Sequence, residues 1–74
     1  MSTKKEVKRE FYDSGKLKNE TYYKNNKEEG LKTTWYENGQ KMSEAYYKNG
    51  KEEGLETKWY ETGERGRETH FKNG

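Results

Sequence analysis

The residues best suited to acid–base or metal chemistry are two pairs of adjacent glutamates and one histidine. The pairs are Glu28-Glu29 and Glu52-Glu53, and the histidine is His70. Neighbouring residues of a β-strand point to opposite faces, so neither pair converges on one substrate or metal ion. His70 has no cysteine and no matching nucleophile to complete a zinc site or a catalytic triad. These residues predict a chain that is not an enzyme and that uses no cofactor and no metal.

Basic and aromatic residues alternate along the chain, as they do in proteins that stack single-stranded nucleic acid. The 16 Lys and Arg residues are nearly balanced by 14 Asp and Glu residues, which leaves a formal net charge of +2. This balance weakens any phosphate-tracking surface. Nucleic acid is therefore the alternative partner and not the expected one. A membrane partner is not expected either, because the sequence has no basic amphipathic helix.

The chain repeats itself three times with a period of 24 residues. Residues 7–30, 31–54 and 55–74 align without a gap. The first two copies are identical at 12 of 24 positions, so they encode one shared structural unit. Such a period indicates a repeat architecture in which neighbouring units build a common surface. We expect residues 1–6 to form a flexible tail and residues 7–74 to form the repeat domain.

Two turn signals recur in every repeat, and they delimit the strands. The first is Ser14-Gly15, Asn38-Gly39 or Thr62-Gly63, and the second is Asn25-Asn26, Asn49-Gly50 or Asn73-Gly74. Asn-Gly between β-rich segments predicts a two-residue type I′ hairpin turn, since both central residues need a positive φ. The fold class is therefore all-β: a single antiparallel meander sheet of about six strands, built from three tandem β-hairpin repeats. The predicted strands are residues 7–12, 17–24, 28–36, 41–48, 52–60 and 65–72.

Two-residue turns also predict which residues face each other. The expected pairs are Trp35 with Met42 and Leu31 with Tyr46 around the first turn, and Tyr46 with Glu53 and Glu44 with Leu55 around the second. Period-two alternation then gathers one aromatic-rich set on a single face. That set comprises Val7, Phe11, Tyr22, Leu31, Trp35, Met42, Tyr46, Leu55, Trp59 and His70. Its candidate interaction or core residues are Phe11, Tyr22, Leu31, Trp35, Met42, Tyr46, Leu55 and Trp59. The opposite face is predicted to carry Tyr12, Leu17, Tyr23, Tyr36, Tyr47, Tyr60 and Phe71.

The core available to this sheet is thin. Hydrophobic residues make up 24% of the chain and charged residues 41%, while the aromatic share is high at 15%. Tyr and Trp thus replace the usual aliphatic core, which suits a sheet better than a helical bundle. A single layer cannot cover its own apolar face, so we expect the sheet to curl or to be covered by a second copy. The glutamates at 20, 44 and 68 recur on the aromatic face, where they can pair with basic groups.

The repeat resembles the bacterial MORN-repeat variant family. The resemblance covers residues 7–74, and its clearest motifs are Trp35-Tyr36-Glu37-Asn38-Gly39-Gln40, Tyr46-Tyr47-Lys48-Asn49-Gly50-Lys51 and Gly54. It implies successive β-hairpins in an elongated sheet and a protein-interaction or scaffolding role, with antitoxin-like members among the bacterial proteins. We therefore expect a cytoplasmic, non-catalytic interaction module. A second copy, forming a homodimer, is the first partner hypothesis, and a heterologous protein such as a toxin is the second.

Overall fold

The computed structural model describes residues 4–72, which form one open antiparallel sheet without a helix. The strands are β1 (Lys5–Phe11), β2 (Leu17–Lys24), β3 (Lys27–Trp35), β4 (Lys41–Lys48), β5 (Lys51–Glu52), β6 (Gly54–Trp59) and β7 (Arg65–Phe71). They follow one another in meander order, and β5 and β6 pair with the same strand, β4. The predicted meander is confirmed, with its fifth strand divided at Glu53.

The ends of the predicted domain differ slightly from the structure. Strand β1 begins at Lys5, so two residues of the predicted tail belong to the sheet. Residues 1–3 of that tail, and the predicted turn at residues 73–74, lie outside the described residues. Within residues 4–72 no helix is long and apolar enough to cross a membrane.

The sheet is a single layer with small residues at its centre. Its Cα atoms span 44 × 30 × 11 Å, so the sheet does not curl over either face. The most buried side chains in the described range are Thr21, Thr33, Ala45 and Thr57, each less than 9% exposed, and no large side chain there is fully buried. Of the two expected remedies for the thin core, curling is therefore not the one this chain uses. Its larger apolar side chains remain accessible to a partner.

The second turn of the first two repeats has the expected backbone conformation. Asn25 and Asn26 have φ values of 52° and 68°, and Asn49 and Gly50 have values of 53° and 85°. Positive φ at both central residues defines a type I′ turn, whose twist matches that of the flanking strands. The prediction of two-residue turns is confirmed at both places, including the copy that lacks glycine.

The first turn of each repeat has a different conformation from the one predicted. At the middle copy, the Gly39 N–H donates to the Tyr36 carbonyl at 3.0 Å and the Tyr36 N–H donates to the Gln40 carbonyl at 2.8 Å. Gly39 has a φ of 93°, whereas Asn38 is not among the residues with positive φ. This geometry is a type I turn followed by a glycine bulge, which loops out three residues. The Asn38 side chain supports it by accepting a hydrogen bond from the Gln40 N–H at 2.8 Å.

The glycine bulge changes the pairing beside the turn. Leu31 lies opposite Tyr46, as predicted, but Trp35 lies opposite Lys41. The predicted Trp35–Met42 pair is wrong because the glycine bulge shifts the register by one residue at the turn. Met42 is an extra residue between Lys41 and Ser43, and it returns the strands to the predicted register from Thr34 onwards. The same shift places Leu17 opposite Phe11, and therefore on the face opposite to the one predicted for it.

A two-residue bulge interrupts the other hairpin of the first two repeats. The Glu53 N–H donates to the Tyr46 carbonyl at 2.8 Å, in agreement with the predicted pair. Beyond that point Glu44 lies opposite Thr57, so the predicted Glu44–Leu55 pair is wrong. Gly54, with a φ of 85°, lies where two additional residues enter the strand. Because two residues are added, side-chain alternation is preserved and Leu55 stays on its predicted face.

Adjacent repeats are joined by a recurring side-chain hydrogen bond. The Tyr12 hydroxyl donates to the Trp35 carbonyl at 2.6 Å, and the Tyr36 hydroxyl donates to the Trp59 carbonyl at 2.8 Å. Each bond spans 23 residues and is partly buried. The repeated bond ties the first turn of one repeat to the aromatic strand end of the next, so it sets the spacing between repeats.

Candidate protein-interaction surface

The face that carries Trp35 and Trp59, called the Trp face below, has two apolar rows. The first row crosses neighbouring strands through Val7, Tyr22, Leu31, Tyr46 and Leu55, whose exposed fractions range from 38% to 53%. The second row lies at the other end of the strands and contains Phe11, Trp35 and Trp59. Seven large apolar or aromatic side chains in the described range are exposed, and six of them belong to these two rows.

Met42 is the one residue of the eight candidate interaction or core residues that the structure does not place in these rows. It lines a shallow depression with Ala45 and Tyr47, which belong to the opposite face, called the Tyr face below. Its predicted position opposite Trp35 is occupied by Lys41, whose ammonium lies 5.9 Å from the centre of the Trp59 ring. The aliphatic stem and charge of a lysine thus replace an apolar side chain between the two tryptophans.

A polar row separates the two apolar rows of the Trp face. Its order across the sheet is Arg9, Glu20, Thr33, Glu44, Thr57 and Glu68. Each glutamate has a basic partner: the Arg9–Glu20, Lys41–Glu44 and Arg65–Glu68 distances are 2.7, 2.9 and 3.1 Å. The recurring glutamates therefore pair with basic groups of the same chain. These pairs keep the face close to neutral while leaving carboxylates between the apolar rows.

The first apolar row borders an open groove of about 740 Å³. Val7, Tyr22, Leu31 and Tyr46 line its apolar part. Tyr22 lies across Gly30, so a Cβ added at Gly30 would be 3.4 Å from the Tyr22 Cβ. Gly30 also has a φ of 108°, a conformation that L side chains rarely adopt. The absence of a side chain at Gly30 therefore leaves room for the first atoms of the Tyr22 side chain, which lines the groove.

The Tyr face contains a cluster of ionisable groups that the sequence patterns did not single out. The Tyr47 hydroxyl donates to Glu52 Oε1 at 3.2 Å, while Glu52 Oε2 is buried without a hydrogen-bond partner. Burial, followed by the charge of Glu52, raises the pKa of Tyr47 to about 12. Burial and the adjacent Glu56 carboxyl raise the pKa of Glu52 above its ordinary value. Two ionised carboxylates can only accept hydrogen bonds, so neither can donate to the other. A proton held between Glu52 and Glu56 would supply the hydrogen bond that Glu52 Oε2 lacks.

An alignment of the repeats could have revealed this cluster. Glu52 and Glu56 are the 24-residue equivalents of Glu28 and Lys32, which form an ion pair at 3.6 Å. The second repeat therefore replaces an attractive pair with a repulsive one. Glu52 and Glu53 were predicted only to be neighbours on opposite faces, and that prediction did not include the Glu56 carboxyl four residues along the chain.

The remaining candidates for chemistry are dispersed. His70 is exposed and lies opposite Leu55 at one end of the first apolar row. Among residues 4–72 no group of three or more His, Cys, Asp or Glu side chains is placed to hold a metal ion. The geometry of the Trp face is that of a flat binding surface, with aromatic anchors and a row of paired charges between them.

These features define an all-β repeat protein with an open, aromatic-rich sheet face. The chain matches the family described as MORN repeat variant at residues 7–25, 28–49 and 52–73, which together include most of its length. It belongs to this family of non-catalytic repeat modules, which generally mediate protein or membrane interactions. No curated protein and no solved structure matches the chain.

Proposed function

We propose that this chain is a protein–protein interaction or scaffold module that binds a partner protein on its Trp face. The observation that carries the proposal is the segregation of exposed apolar side chains: six of the seven in the described range lie on that face. Soluble proteins that expose several large apolar side chains on one contiguous surface generally use it for binding. Tyrosine and tryptophan also anchor many interfaces because they bury a large area with little loss of side-chain entropy.

A second copy of the chain is the first partner proposed for this face. Two sheets pack face to face at about 10 Å, with the apolar residues of both inner faces between them. Such packing supplies the second layer that a single sheet lacks. The polar row is compatible with it, because Glu20, Glu44 and Glu68 each carry a basic partner within 3.1 Å into the interface.

A heterologous protein is the second partner proposed, and an antitoxin-like role is its particular form. A toxin would occupy the same two apolar rows in place of the second copy. Single-stranded nucleic acid is a poorer fit for these rows, since the carboxylates of Glu20, Glu44 and Glu68 lie between them and repel phosphate.

Light scattering coupled to size exclusion, over about 5 to 500 μM protein, tests this proposal. Tyr46→Thr removes a ring that is 53% exposed and keeps a residue suited to a strand. Tyr23→Thr is the control, because Tyr23 lies on the Tyr face beside Lys8 and outside the two rows. We expect the wild type and the control to dimerise and Tyr46→Thr to dimerise at least tenfold more weakly.

The opposite results have clear meanings. Equal dimerisation by all three proteins would exclude the Trp face as the dimer interface. A wild type that stays monomeric would exclude the second copy, and a partner would then be sought by comparing Tyr46→Thr with the wild type as bait. Quenching of tryptophan fluorescence by an oligonucleotide at low salt, lost in Tyr46→Thr, would favour nucleic acid as the ligand of this face.

A further inference from the structure

The two outermost strands of the sheet are complementary to each other. Within residues 4–72, β1 pairs only with β2 and β7 pairs only with β6, so each has a row of open backbone N–H and C=O groups. Open edges of this kind accept another strand. The internal repeat shows which strand would fit, because every interior junction of the sheet repeats at 24-residue intervals.

The junction between β2 and β3 is the template. There Asn19, Glu20 and Thr21 lie opposite Thr34, Thr33 and Lys32. The residues 48 positions after the β2 trio are Arg67, Glu68 and Thr69 on β7, and those 24 positions before the β3 trio are Glu10, Arg9 and Lys8 on β1. If β7 meets the β1 of another copy in the register of this template, Arg67 lies opposite Glu10 and Glu68 lies opposite Arg9.

We propose that copies of this chain join head to tail, with β7 of one copy pairing antiparallel with β1 of the next. Two opposite-charge pairs then face each other across the new junction, one on each face of the sheet. Directly opposed charges of opposite sign stabilise strand pairing, and like charges oppose it. A two-fold pairing of β7 with itself, centred on Arg67 or Glu68, would bring identical charges together, so the charge pattern favours the head-to-tail arrangement.

Tyr60 supplies an independent indication. The equivalent Tyr12 and Tyr36 hydroxyls donate to the carbonyls of Trp35 and Trp59 in the following repeat. Tyr60 is 61% exposed, and its hydroxyl has no hydrogen bond to residues 4–72. In the head-to-tail arrangement the equivalent acceptor is the carbonyl of Phe11 of the next copy. The bond that joins repeats within the chain is thereby repeated between chains.

This contact differs from face-to-face dimerisation in its consequences. A head-to-tail junction leaves a free β7 and a free β1 at the two ends, so addition does not stop at two copies. Assemblies should lengthen as concentration rises, whereas packing of two Trp faces closes at a dimer. The inference does not rest on the proposed function of the Trp face, since it uses only the edges of the sheet.

A charge-exchange experiment tests the junction. Arg67→Glu places two acidic residues opposite each other between identical copies, and Glu10→Lys places two basic residues there. We expect each variant alone to associate about tenfold more weakly than the wild type at low salt, with the difference reduced in high salt. An equimolar mixture restores opposite charges at every junction, so its sedimentation profile should return to that of the wild type. Lys16→Glu and Glu61→Lys, which reverse exposed turn charges, are the matched controls.

Tyr60→Phe is the second variant, and it should shorten the assemblies without a change in charge. A wild type that never exceeds a dimer, or a mixture that associates no better than its separate components, would overturn the head-to-tail junction. If Tyr46→Thr abolishes association while both charge variants behave like the wild type, the junction is excluded and the Trp-face proposal stands. If the charge variants weaken association and Tyr46→Thr does not, the junction stands and dimerisation through the Trp face is excluded.

Discussion

Replacing Glu56 with lysine should stabilise this protein by restoring an ion pair that the first repeat already has. Glu28 and Lys32 lie 3.6 Å apart, whereas their equivalents are the carboxyls of Glu52 and Glu56. In Glu56→Lys an ammonium would take the place of the repelling carboxylate and donate to Glu52 Oε2, which is buried without a partner. The substitution therefore changes the sign of one interaction and satisfies one buried acceptor.

The direction of the effect follows from the raised pKa of Glu52. A carboxyl whose pKa is higher in the folded than in the unfolded state binds more protons when folded, so the free energy of unfolding falls as pH rises through that interval. The size follows from the new hydrogen bond to a charged group, which contributes about 1.5–3 kcal/mol before solvent screening at this partly exposed position reduces it. Lys58 already lowers the pKa of Glu52 and would repel a second lysine nearby. We therefore expect a gain of about 1 kcal/mol at pH 7, or roughly 4–8 °C in melting temperature for a domain of this size.

Urea unfolding followed by tryptophan fluorescence at about pH 7 and about pH 3 measures this gain. The raised pKa of Glu52 means that its carboxyl is protonated at the lower pH and carries no charge for a lysine to attract, so the advantage of Glu56→Lys should nearly disappear there. Glu61→Lys is the control, because it makes the same charge change at an exposed turn. A gain at pH 7 no larger than that of the control, or one that persists at pH 3, would refute the reasoning.

Three further predictions concern the turns and the junctions between repeats. Tyr36→Phe removes the hydrogen bond to the Trp59 carbonyl and should lower the free energy of unfolding by about 1 kcal/mol. Tyr60→Phe in the dilute monomer should change it by less than about 0.5 kcal/mol. Equal losses in the two variants would argue against a stabilising role for the Tyr36–Trp59 hydrogen bond. Asn26→Gly should raise the midpoint of urea unfolding by the equivalent of about 0.5 kcal/mol, since Asn26 has a φ of 68° that glycine adopts without strain; a lower midpoint would contradict this. The pKa of Tyr47 is raised from 10.0 to about 12, so its contribution to stability is full below pH 10 and is lost as pH rises towards 12; ultraviolet titration should show late ionisation that is absent in Tyr47→Phe.

The pattern of strands and faces could be predicted because it depends on local signals. Asn-Gly and Asn-Asn pairs need no distant contact to favour a type I′ turn, and Asn25-Asn26 adopts it without glycine. Alternation then places Tyr46 and Leu55 on the same face as the tryptophans, and the structure agrees. The bulge at Gly54 does not disturb this result, because it adds an even number of residues.

The pairing beside the first turn could not be predicted from the same signals. An Asn-Gly pair fits both a two-residue type I′ turn and a type I turn with a glycine bulge, and these differ by one residue in register. The choice made at Gly39 moved Met42 away from Trp35 and placed Lys41 there. Leu17 changed faces for the same reason. A one-residue difference in a turn thus decided which side chains separate the aromatic anchors.

The sequence by itself determined the repeat, the all-β meander and the face on which the apolar side chains away from the first turns lie, because each follows from local turn preference and a period of two. Only the tertiary structure decided that the sheet is a single layer 11 Å thick with its apolar rows exposed. It also decided that Glu52 is buried beside Glu56 and Tyr47. Burial and the spacing of charges across strands depend on how all the bulges together set the register of the sheet. No local sequence pattern contains that information.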